Sequence, residues 1–108
     1  MTHGHRHIKP QGEVYFGLSG HGGLLLRHGP EVVWLEMLPG VVGHIPAGWT
    51  HRTVNVGTEP FVFVAFYPRL SGHDYTPVAR EGMGARVLKT TMGYRVVRDD
   101  GTELFAWP

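Results

Sequence analysis

Short apolar or alternating runs, broken by Gly and Pro, succeed one another along nearly the whole chain. Side chains two apart in a strand share a face, so this period predicts strands rather than helices. The runs fall at residues 13–18, 23–28, 31–38, 41–45, 50–56 and 61–67, with two more at 85–90 and 94–98. Residues 3–8 alternate too, and the closing "DDGTELFAWP" reads as a short strand or a tail. "SGHGG" between the first two runs predicts a hairpin turn. "FVFVAFY" at 61–67 is apolar at every position, which predicts a central strand covered on both faces. A single helical turn fits Val78–Glu81, and "TTMG" joins the last two predicted strands. Seven or more short strands with turn signals between them predict an all-β sandwich or barrel.

Composition narrows the picture. One domain is expected at 108 residues, spanning 1–108 without repeats or a linker. The 16 Gly and 8 Pro suit many tight turns. A net charge of +1 gives no electrostatic footprint for nucleic acid or an anionic membrane. No apolar run is long enough to span a bilayer, and the start does not resemble a signal peptide, so a cytoplasmic protein is expected. Cysteine is absent, which excludes disulfides and thiolate metal sites. Any metal must therefore be held by imidazole and carboxylate.

Those groups occur at telling spacings. His5 and His7 share a strand face, which suits two neighbouring positions on one ion, and the "KPQG" turn can bring Glu13 back beside them. His5-x-His7, five residues, Glu13, six residues and Gly20 resemble the first cupin motif with one residue added before the glutamate. Gly40, Pro46, Gly48, His51 and Asn55 stand at every fixed position of the second. The resemblance implies a cupin jelly-roll barrel, motif one over 5–20, motif two over 40–55, with C-terminal strands over 85–98. It implies one divalent transition metal on His5, His7, Glu13 and His51, Fe(II) first, with Mn(II), Ni(II) or Zn(II) as alternatives. His21, His28 and His44 belong to neither motif and are read as solvent-facing or turn residues. "DDG" at 99–101 is read as a turn.

A longer pattern narrows the family. "THGHRH", "EVYFGLSGHGGLLL", "MLPG", "IPAGWTHRTVNVGTEPFVFVAFYP" and "SGHDY" resemble the archaeal-type, metal-dependent glucose-6-phosphate isomerases of the cupin superfamily. The resemblance covers roughly residues 2–75. It implies aldose–ketose isomerisation between glucose 6-phosphate and fructose 6-phosphate. Thr2 and Gly4 fall where the family contacts the substrate phosphate, and Tyr15, Tyr67, His73 and Tyr75 where it lines the sugar pocket. The base that moves the C2 proton is expected to be Glu13, or His73 with Tyr75; a hydride shift without a base remains the other route. Tyr15 shares parity with Glu13 and is expected to face the same way.

Family members carry an N-terminal segment ahead of this strand, so the chain is expected to be truncated relative to them and to isomerise poorly alone. Edges and apolar surface left open predict a homodimer. Two other readings fit the same shell: an Fe(II)-dependent cupin dioxygenase, and a sugar-phosphate- or metal-binding cupin without catalysis.

Overall fold

The computed structural model describes residues 12–67 and 82–108. Nine strands and no helix occupy the described residues: β1 Glu13–Ser19, β2 Gly22–His28, β3 Glu31–Met37, β4 Val42–Ile45, β5 Thr50–Asn55, β6 Val62–Phe66, β7 Ala85–Lys89, β8 Tyr94–Arg98 and β9 Glu103–Trp107. They form three antiparallel sheets ordered β4-β1-β6, β3-β2-β5 and β7-β8-β9. The all-β architecture is the one expected, and the first two sheets make a cupin-like sandwich. No helix among the described residues is long and apolar enough to cross a membrane. The strand expected at 3–8 and the helical turn expected at Val78–Glu81 lie outside the described residues.

Strand parity decides which residues meet. Leu24 and Leu26 of β2 point toward the first sheet and pack with Tyr15, Met37 and Ile45. Leu25 points the other way, and with Val32 it packs against Met83, Ala85, Tyr94 and Val96 under the third sheet. The sheet β3-β2-β5 is therefore covered on both faces, which accounts for the burial of five successive residues, Gly22–Leu26. Full burial of a leucine such as Leu24 contributes about 1.5–3 kcal/mol.

Two expectations are corrected. β1 and β2 do not pair as a hairpin: β1 pairs with β4 and β6, and β2 with β3 and β5. The glycine at position 20 has φ 79°, and here it carries the chain from one sheet to the other. "FVFVAFY" is not a central strand with both faces covered. β6 borders the sheet among the described residues, and Val62, Val64 and Phe66 stand exposed between the half-buried Phe63 and Ala65. Its apolar pattern marks an uncovered face, not a buried one.

Turn readings fare better. Gly40 (φ 86°) carries the chain from β3 in one sheet to β4 in the other, and Gly48 (φ 83°) sits in a turn where the Trp49 N–H donates to the Pro46 carbonyl at 3.3 Å. "DDG" is a turn after β8, with the Thr102 N–H donating to Asp100 Oδ1 at 2.8 Å.

Candidate metal and sugar site

β1 and β5 lie in different sheets, and their inward residues meet across the sandwich. Glu13 opens β1 with its side chain turned inward, and the parity of the strand sends Tyr15 the same way. The Pro46–Gly48 turn delivers β5 so that His51, opposite Leu26 in the register, also points inward. His51 Nε2 lies 2.9 Å from Glu13 Oε2, with both side chains 2% exposed. The Tyr15 hydroxyl lies 3.3 Å from His51 Nε2. Tyr15 meets the His51 ring edge-on and stacks on Phe63 with centroids 4.9 Å apart.

The electrostatics follow from this packing. Burial, above all, pushes the Tyr15 phenol well above its ordinary value. The charge of Glu13, its hydrogen bond to the phenol, and nearby Tyr67 push the same way. Tyr15 thus stays a neutral hydroxyl across the physiological range, able to donate to an oxygen placed beside it. One imidazole nitrogen and one carboxylate oxygen converging at this distance are donors that suit a divalent transition ion.

The structure brings together Glu13, Tyr15 and His51 of the expected site residues, with Tyr67 close to them at the end of β6 and half exposed. Thr2, Gly4, His5, His7, His73 and Tyr75 lie outside the described residues. Among the described residues no third His, Asp or Glu joins the pair.

One histidine reading is corrected. His28 and His44 are exposed as expected, but His21 is not a solvent-facing turn residue. Its Nε2 bonds to Glu36 Oε1, while Glu36 Oε2 accepts from the Trp34 Nε1–H at 3.1 Å and from the Tyr94 hydroxyl. His21 also packs edge-on against Trp107 with centroids 4.9 Å apart. This polar cluster ties β2 and β3 to the third sheet. The one signal in the sequence was Glu36, a charged residue among the apolar positions 32–37 of β3.

Comparison with known proteins places the fold in a family. The family model described as glucose-6-phosphate isomerase (GPI) matches residues 1–102. The chain belongs to the glucose-6-phosphate isomerase family. It is 46% identical over 100 residues to the glucose-6-phosphate isomerase of Pyrococcus furiosus, covering 90% of this chain and 52% of that protein. The enzyme of Thermococcus kodakarensis is 44% identical over 99 residues, again covering 90% of this chain and 52% of its own length. That of Thermococcus litoralis is 44% identical over 102 residues, with 93% and 53% covered. The chain spans about half the length of the curated relatives it matches.

Proposed function

We propose that this chain carries the catalytic centre of a metal-dependent isomerase that interconverts glucose 6-phosphate and fructose 6-phosphate. The carrying observation is the meeting of the Glu13 carboxylate and the His51 imidazole at 2.9 Å, beside a buried neutral phenol, in a chain of this family. In this reading His5, His7, Glu13 and His51 hold one divalent ion, Fe(II) first. When bound, that ion supplies Lewis-acid polarisation of the sugar's C1 and C2 oxygens.

The chain's own residues do the rest. His51 is held in place by its strand and by the Tyr15 ring, so its Nε2 keeps one direction. Tyr15 donates its hydroxyl proton to a sugar oxygen and orients the open chain. Glu13 takes the proton from C2 and returns it to C1, a transfer that needs the carboxylate within about 3 Å of the carbon-bound hydrogen. His73, with Tyr75, is the other base in this proposal, and Tyr67 lines the sugar's path. Thr2 and Gly4 receive the phosphate. Leu24, Leu26 and Ile45 keep bulk water from the inner end of the site.

Assembly belongs to the same proposal. Phe16, Leu18, Val42, Val62, Val64 and Phe66 stand exposed on the strands of the first sheet, Val42 at 60% and Phe66 at 61%. A patch of this kind marks an interface, and a second copy of this chain is the occupant in this reading. The cytoplasm is the location in this reading, where the chain would act on phosphorylated sugars.

An enzyme-linked assay that starts from fructose 6-phosphate and records glucose 6-phosphate tests the reading. Glu13→Gln keeps the shape of the side chain and removes its charge, so turnover should fall at least about hundredfold. Undiminished turnover in that variant would refute the role given to Glu13. Oxygen uptake with the sugar phosphate, in place of isomerisation, would instead favour a dioxygenase.

A further inference from the structure

β5 has two faces. His51 and Thr53 turn toward β1, whereas Arg52 and Val54 turn toward the third sheet. On that reverse side a cavity of about 580 Å³ opens between β5 and β7. Leu25, Val54 and Val87 give it an apolar wall, and Arg52, Arg86 and Lys89 line it as well. No Asp or Glu is among its described lining residues.

That charge bias is not inherited from composition. The chain as a whole has 10 Lys and Arg against 9 Asp and Glu, so a cavity with cations alone is a local concentration. A concave, partly apolar wall bearing one sign of charge focuses its potential and raises the local concentration of counter-ions. Arg86 and Lys89 are exposed and are engaged in no ion pair among the described residues. The backbone adds donors. Residues 85–89, all of β7, line the cavity, and among the described residues β7 pairs on one side only, with β8. In an antiparallel edge strand alternate N–H groups face away from the partner, and such groups bind anionic oxygens. The guanidinium fork of the exposed Arg86 matches the paired oxygens of a phosphate or a carboxylate.

We infer that the cavity between β5 and β7 is a second binding site, separate from the Glu13–His51 centre, for a small organic oxyanion. The apolar wall calls for carbon as well as charge, and the volume lies within the range of about 300–1,000 Å³ common to small-molecule sites. The oxyanion is a phosphate ester or a carboxylate, whose shared chemistry is two or more charged oxygens on an apolar stem.

Phenyl phosphate, benzoate and uncharged phenol, titrated into the ¹⁵N-labelled chain at low ionic strength, separate the possibilities. Phenyl phosphate should move the amide resonances of 52–57 and 85–89 saturably, and phenol should not. Benzoate binding as tightly would identify a general oxyanion site, and weaker binding a phosphate site. Both support the inference. Arg86→Gln combined with Lys89→Gln, at exposed positions that leave the core intact, should raise Kd at least tenfold. Equal affinity in that double variant, equal shifts with phenol, or shifts confined to Glu13, Tyr15 and His51 would overturn it. The last result would leave the isomerase reading standing.

Discussion

The Glu13 carboxylate and the His51 imidazole meet where water hardly reaches, and this burial sets what each can do. If both hold a metal ion, His51→Ala should release it, and elemental analysis would find the variant metal-free. An ion present at about a hundredfold its Kd stabilises the folded chain by about 3 kcal/mol, so chelator should lower the melting temperature of the native protein and leave the variant's unmoved. Metal content equal to that of the native chain would break the assignment. Tyr15→Phe keeps the stack on Phe63 and removes only the hydroxyl. Turnover should drop by about tenfold to a hundredfold while the metal stays bound, because one hydrogen bond to a charged or polarised oxygen is worth roughly 1.5–3 kcal/mol. At this scale the sequence was legible where spacing alone decides direction: Glu13 and Tyr15 are two apart, and Pro46 and Gly48 precede His51 at a fixed distance. It was silent on the bond between Tyr94 and Glu36, which joins residues 58 apart that no local pattern connects.

Among the elements, the apolar and alternating runs located eight of the nine strands in the described residues and left β9 open between a strand and a tail, but such runs say nothing about which strand is the neighbour. β1 and β2 follow one another closely and still part to different sheets, because each has an apolar inward face that the other's sheet must cover. β6 misled for a related reason. Continuous apolar character is expected of a buried strand, and here one of its faces is apolar and bare. The crossing at Gly17 shows how tightly β1 is seated. Its N–H donates to the Val41 carbonyl at 2.9 Å and its carbonyl accepts from the Gly40 N–H at 2.9 Å. A Cβ at this position would collide with the Leu38 carbonyl, and backbone cannot swing aside as a side chain can. Gly17→Ala should therefore cost about 1–3 kcal/mol, read as a lower urea midpoint with an unchanged slope. A midpoint equal to that of the native protein would show that the strand seat is looser than its geometry.

For the molecule as a whole, the third sheet and the uncovered face of the first set the behaviour. Burial, then the Glu36 hydrogen bond and the charge of Glu36, raise the Tyr94 phenol above its ordinary value of 10.0. The fold thus favours the protonated phenol, so the stability it contributes is complete below pH 10.0 and is lost as pH rises beyond that value. Above about pH 10 the native protein should lose melting temperature more steeply than Tyr94→Phe, which cannot ionise, and below it the two should fall in parallel. Parallel losses above that pH would show that the phenol is not the responsible group. The exposed face with Val42 and Phe66 predicts a homodimer, and light scattering at micromolar concentration should give twice the mass of the 12.0 kDa chain. The measurement that bears most directly on the central claim is the conversion of fructose 6-phosphate to glucose 6-phosphate, followed before chelation, after it, and after Fe(II) is returned. The account predicts turnover that the chelator abolishes and the returned ion restores. Turnover untouched by complete removal of the metal, or none even with the metal restored, would contradict it.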